Sequence, residues 1–198
     1  FDAEEKETVD LIYRCYYWMA FSGIKEDDTL LITTKDIDFE NMRICRDGKE
    51  YPLYREAIPA FRLASTLTSF NYEHPNYQTI RRDRIPGDTI MRGIRTVMKP
   101  KGMRSILTHY SVEAIKEGKT KLHLSFYRVW MSGLFYRTYE NERAGLPVSF
   151  SETAVDFMSG REYTLNGTNK YIKLSHKQNR IEKGYMEDYE RWKLAFSI

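Results

Sequence analysis

Hydrophobic positions return at helical spacing over residues 4 to 21, where Val9, Ile12, Tyr13, Tyr16, Tyr17 and Ala20 share one face, the pattern of a core helix. Acidic side chains in its first turn suit the positive end of the helix dipole. The pattern breaks at Ser22-Gly23 and resumes as a short, acid-started helix running into Leu30, Leu31 and Ile32. Asp36-Ile37-Asp38-Phe39 follows, then a hairpin with Arg46-Asp47-Gly48-Lys49 at its tip. Asp-Gly predicts this turn because both residues accept positive φ. Tyr51-Pro52-Leu53 leads into a second core helix over 53 to 69, carried by Leu53, Ala57, Phe61, Ala64 and Leu67. Pro59 either bends that helix or marks its true start, since proline lacks the N–H that a helix interior needs.

From Phe70 to Gly87 the pattern is irregular, with Asn71, Pro75, Asn76, Pro86 and Gly87 as breakers,. Within it, Gln78 to Ile85 reads as a short strand or an extended arginine-rich arm. Helical periodicity returns from Asp88 to Met98, stops at Pro100-Lys101-Gly102 and resumes from Met103 to Lys116. Two short helices around a Pro/Gly turn have the outline of a helix-turn-helix. Leu122 to Gly145 is the longest helical candidate, and Ser151 to Met158 a shorter one closed by Gly160. Thr168 to Ile198 is one helix, or two divided near Gly184. Tyr185, Tyr189, Trp192, Leu194 and Phe196 crowd its end, either to pack within their own domain or to dock on a neighbour. The expected fold class is mainly α with a small β-hairpin or sheet.

The 198 residues suit one domain, or one domain with a small appendage,. A composition 41% hydrophobic and 14% aromatic belongs to a folded chain,. No apolar run approaches the ~18 residues of a membrane helix, so no membrane partner is expected and a cytoplasmic location is the default. Cys15 and Cys45 form no metal-spaced motif, and the four histidines are scattered; neither metal nor cofactor is predicted. Cys15, on an apolar helix face, reads as a buried free thiol.

Charge changes the picture more. The formal net charge is only +3, yet residues 1 to 40 carry 11 acidic and 4 basic side chains, and residues 81 to 104 carry 8 basic and 2 acidic ones. Arg81, Arg82, Arg84, Arg92, Arg95, Lys99, Lys101 and Arg104 form that basic block. Such segregation is the footprint of a polyanion partner, here double-stranded DNA. A solvated surface face would carry the same charges.

The order of elements resembles the start of the catalytic domain of tyrosine recombinases, the phage integrase family. Ser22-Gly23-Ile24-Lys25-Glu26-Asp27-Asp28-Thr29 stands in the family's first box, with Asp36-Ile37-Asp38-Phe39 and Tyr51-Pro52-Leu53 in register behind it. Ser125-Phe126-Tyr127-Arg128 matches the second arginine box, and Gly167-Thr168-Asn169-Lys170-Tyr171-Ile172 the tyrosine box. The resemblance implies a catalytic-type domain over 1 to 198, separated from an N-terminal DNA-clamping domain. It also implies Lys25, Lys49 and Arg128 as phosphate holders, with Arg128 doubling as a DNA contact, and Tyr171 as nucleophile. Three positions depart from the family: Lys25 replaces arginine, Ser125 replaces histidine, and Arg161 replaces histidine or tryptophan. Lysine lacks the fork that grips two phosphate oxygens, and losing one strong transition-state contact lowers rate by about 100- to 1000-fold.

The expectation is a recombinase scaffold that binds DNA without cutting it. The resemblance extends to the integrase-like, MrpR-type lytic-cycle repressors of SPβ-type Bacillus phages. Two alternatives stand beside it. One is an active integrase working through a phosphotyrosyl bond; the other is an interaction module that self-associates or docks a partner through its C-terminal helix.

Overall fold

The computed structural model describes residues 3–72, 80–93, 97–119, 121, 123–159 and 170–196. The chain divides into two compact units, Phe1–Leu134 and Phe135–Ile198. Among the described residues it is mainly helical with two small antiparallel sheets, as expected of a mainly α chain with a small sheet.

Helix α1 (Ala3–Ser22) is the centre of the first unit. Ile12, Cys15, Tyr16, Met19 and Ala20 are buried, a stripe at i, i+3, i+4, i+7 and i+8. Tyr13 and Tyr17, expected on that face, flank it half-buried. Gly23 ends the helix at φ +100. Its N–H donates to Ala20 O at 2.9 Å and that of Ile24 to Met19 O at 3.0 Å, the paired bonds of a Schellman ending. Ile24 and Met19 are both fully buried, supplying the apolar contact that accompanies the motif.

A single turn, α2 (Glu26–Thr29), follows. Strands β1 (Ile37–Asp38), β2 (Arg43–Arg46) and β3 (Lys49–Pro52) then form an antiparallel sheet in that order. Arg46 pairs with Lys49 across the expected turn, whose Asp47 and Gly48 have φ of 49 and 74. Helix α3 (Ile58–Thr66) begins with Pro59 in its first turn, so the proline marks the start and causes no bend. Ala60, Phe61 and Ala64 of α3 are buried in the same core as α1.

The arginine-rich stretch is a strand: β4 (Ser69–Tyr72) pairs antiparallel with β5 (Ile80–Asp83). The helix expected over 88 to 98 does not form in its described part. Thr34 N–H donates to Asp88 O, and Ile90 N–H to Ile32 O, both at 2.8 Å. This lays the segment alongside residues 32 to 34, with Ile90 and Met91 buried. Two adjacent apolar residues gain more by entering the core than a short, uncapped helix could retain. Helix α4 (Pro100–Lys116) starts at the proline itself, which removes the helix-turn-helix: Pro100-Lys101-Gly102 is a first turn, where a missing N–H costs nothing.

Helix α5 (Phe126–Arg143) crosses the boundary between units. The second unit adds α6 (Ser151–Ser159) and α7 (Lys170–Phe196), the latter unbroken at Gly184. Its core is aromatic: Phe135 lies 5.8 Å from both Phe150 and Tyr189, centroid to centroid. The Tyr189 hydroxyl donates to Glu142 Oε2 at 2.6 Å. The C-terminal apolar side chains therefore divide, Tyr185 and Tyr189 packing inside while Leu194 and Phe196 are 79% and 61% exposed. Cys15 and Cys45 are free thiols, and among the described residues no helix is long and apolar enough to cross a membrane.

Candidate nucleic-acid interface

The first box, Tyr51-Pro52-Leu53 and the second arginine box meet at the C-terminal end of α1, while most of the tyrosine box, residues 167 to 169, lies outside the described residues. Trp130 Nε1 of α5 donates to Gly23 O at 3.1 Å, closing a separation of 107 residues. Ser22 Oγ donates to Pro52 O at the end of the hairpin, at 2.7 Å. Phe126 packs on Tyr16, ring centroids 4.9 Å apart. The turn preceding Lys25, the base of the Lys49 hairpin and the start of α5 thus share one support.

On this support Lys25 is the exposed N-cap of α2, Lys49 the exposed first residue of β3, and Arg128 an exposed residue in the first turn of α5. Arg128 Nη1 donates to His123 O at 2.7 Å, which orients the side chain along the segment before its own helix. Its backbone N–H donates to Ser125 Oγ at 3.3 Å. Ser125, the first residue of the Ser125-to-Arg128 segment, here acts as an N-cap. Tyr171 lies in the first turn of α7, where its side chain is outside the described residues, as are Arg161 and Arg95.

Glu26 connects this support to α4. Its Oε1 accepts from Tyr16 Oη at 2.7 Å and from Arg104 Nε at 2.8 Å, while Arg104 Nη2 holds the other oxygen. The Arg104 guanidinium keeps the carboxyl below its ordinary range, against the opposing effect of burial and with added help from Tyr16. A depressed carboxyl contributes stability that is complete above its unfolded value and lost as pH falls through the folded one. Glu26→Gln is accordingly expected to flatten the acid limb of the Tm-versus-pH curve below pH ~4.3. Thermal melts from neutral to acid pH would check this; superimposable acid limbs would reject it.

The basic block divides into two kinds of arginine. Arg84 is 5% exposed, its Nη1 donating to Ala64 O at 2.8 Å and Leu67 O at 3.0 Å, its Nη2 to Ile90 O at 2.8 Å. Arg92 Nη2 donates to Ala64 O, Ser65 O and Leu67 O at 3.1, 3.3 and 3.1 Å, and Nη1 to Gly87 O at 2.7 Å. Both guanidiniums serve the C-terminal carbonyls of α3, where unpaired acceptors and the negative end of the dipole favour cations. Burial, followed by the neighbouring Arg92, pulls Arg84 down to about 10. These two residues, expected on phosphates, are instead directed into the protein. A signal for this was present: α3 has no basic residue in its last turn, so its carbonyls need donors from elsewhere.

The outward members are Arg81, paired with Asp83 at 2.9 Å, the half-buried Arg82, and Lys99, Lys101 and Arg104 at the start of α4. Lys99 is the N-cap of α4, and its first turn contains no acid. Cations there add to the positive end of the dipole, an arrangement that favours an anion. Among the described residues no three His, Cys, Asp or Glu side chains gather as a metal site. The chain matches no protein-family model and no curated protein.

Proposed function

We propose that this chain binds double-stranded DNA in a sequence-specific way, as a phage transcriptional repressor built on a tyrosine-recombinase-like scaffold that holds phosphates without cutting them. The observation that carries the reading is the meeting of the Gly23-to-Lys25 turn, the hairpin base and the start of α5 at one end of α1. Around it Lys25, Lys49 and Arg128 are exposed cations on a shared support, and Lys99 and Lys101 extend the positive field along the start of α4.

Phosphate holding needs charge at the surface, and these residues supply it. Strand cleavage needs more. A pentavalent phosphate is best stabilised by bidentate guanidinium groups, whereas the first position is Lys25, and Arg104 is engaged by Glu26.

The test is to incubate the chain with fragments of double-stranded DNA from its own genome and divide the retained DNA between native and denaturing gels. Retention that vanishes on denaturation is the expected result. A band that survives denaturation in the wild type and disappears in Tyr171→Phe would establish cleavage instead.

Affinity is further expected to fall steeply with salt. Lys99→Ala and Lys101→Ala should each flatten the log–log salt slope by about 1. A slope near zero in the wild type would refute the phosphate-binding reading.

A further inference from the structure

Helix α4 buries Met103, Leu107 and Ser111, positions i, i+4 and i+8 of one stripe turned to the core. The third member is polar. A hydroxyl fully buried in an apolar stripe is costly unless it is paired, so the destination of its bonds is informative.

They go to the segment between α4 and α5. Ser111 Oγ accepts the Leu124 backbone N–H at 2.7 Å and lies 3.2 Å from His123 Nδ1. Thr108, on the exposed side of the same helix, makes the ordinary bond of a helical hydroxyl, to the carbonyl of Arg104 four residues back at 2.9 Å,. Ser111 reaches across to another stretch of chain and holds two successive residues of it, one by its backbone and one by its ring.

That stretch is what orients Arg128. The His123 carbonyl accepts from Arg128 Nη1 at 2.7 Å, and the Arg128 backbone N–H donates to Ser125 Oγ at 3.3 Å. An exposed arginine has many rotamers open to it, and a carbonyl held in place selects among them before any ligand arrives. The guanidinium carries several N–H donors, so one bond to a carbonyl leaves others to meet an anion. A carbonyl also leaves the positive charge uncancelled, whereas Arg104 is held by the Glu26 carboxylate.

A buried hydroxyl on α4 is therefore linked to a surface guanidinium on α5 through the residue that each of them grips. We infer that Ser111 is a positioning residue for nucleic-acid binding, setting through the His123 carbonyl the direction in which the Arg128 guanidinium meets a DNA phosphate. The role rests on the DNA-binding reading above and adds to it a residue that itself touches no DNA.

The test is a set of double-mutant cycles on binding of the double-stranded genomic fragment that the wild type retains most tightly. Ser111→Ala removes the hydroxyl, Arg128→Ala removes the guanidinium, and Lys99→Ala removes a phosphate contact that Ser111 does not hold. Ser111→Ala is expected to weaken affinity by about three- to tenfold. It should flatten the log–log salt slope by no more than the ~1 that Arg128→Ala removes. In the Arg128→Ala background it should change neither, whereas with Lys99→Ala the two losses should multiply. A merely structural loss would multiply in both backgrounds.

Circular dichroism and melting show which variants are folded. Ser111→Cys, close in size but a weaker hydrogen-bonding group, takes the place of an alanine variant that does not fold, and its smaller loss should again be confined to chains that keep Arg128. Unchanged affinity in folded Ser111→Ala, or a loss that persists in full without Arg128, would overturn the positioning role and leave the DNA-binding reading standing. A wild type that retains no fragment would overturn that reading and the role with it.

Discussion

Gly133→Ala is expected to destabilise the first unit by about 3 kcal/mol, the range of severe overpacking. A Cβ built at Gly133 would overlap the carbonyl oxygen of Phe21 and lie 2.6 Å from its carbonyl carbon and 2.7 Å from its Cα. These are backbone atoms of α1 within its last turn, so no side-chain rotation relieves the overlap. Intrinsic propensity argues the other way, since alanine is favoured over glycine in a helix by ~1 kcal/mol. The sign of the effect therefore tells which force acts.

Gly184→Ala is the control. Gly184 lies inside α7 with nothing within 4 Å of an added Cβ, and there alanine should stabilise by up to ~1 kcal/mol. Urea unfolding of both variants measures the difference. A Gly133→Ala protein as stable as wild type would mean that α5 does not approach α1 this closely. The Trp130 bond to Gly23 O, and with it the shared support for Lys25 and Arg128, would then lose its basis.

Arg84→Met should destabilise by about 3 kcal/mol. It removes three charge-assisted hydrogen bonds, each worth ~1.5–3 kcal/mol, and this loss is partly offset because a buried charge no longer has to be desolvated. Arg84→Lys is expected to recover little, because one ammonium cannot reproduce a planar fork reaching three carbonyls.

Arg92 shares the Ala64 and Leu67 carbonyls with Arg84. Either guanidinium can partly cover for the other, so the double variant should lose more than the sum of the singles. Chemical denaturation of the four proteins in the cycle checks the coupling. The salt slope of DNA binding gives a second readout: it should be unchanged in folded Arg84→Met, whereas Lys99→Ala lowers it. A slope reduced by Arg84→Met would return this arginine to the phosphate contacts.

What was legible in the chain was what acts within a few residues. The helix ending at Ser22-Gly23, the Asp47-Gly48 hairpin, the start of α3 near Pro59 and the later helices all carry their own periodicity, turn residue or breaker. They formed close to where those signals place them. Where two local readings competed, the core chose. Residues 88 to 91 had helical spacing, but burial of Ile90 and Met91 beside Ile32 prevailed. In α1 the expected face ran through Tyr13 and Tyr17, but packing buried Cys15 and Met19 and left those two tyrosines half-buried at its flank.

The sequence by itself determined the class of fold, the punctuation of its elements and the concentration of basic residues between 81 and 104. Only the tertiary structure decided what those residues do. Arg84 reaches a carbonyl 20 positions away and Arg92 one 28 positions away, while Trp130 closes 107 positions onto Gly23. The physical reason is range. Dihedral preference and hydrophobic period are properties of neighbouring residues, whereas a guanidinium takes its partner from whichever carbonyls the packed core leaves unpaired beside it.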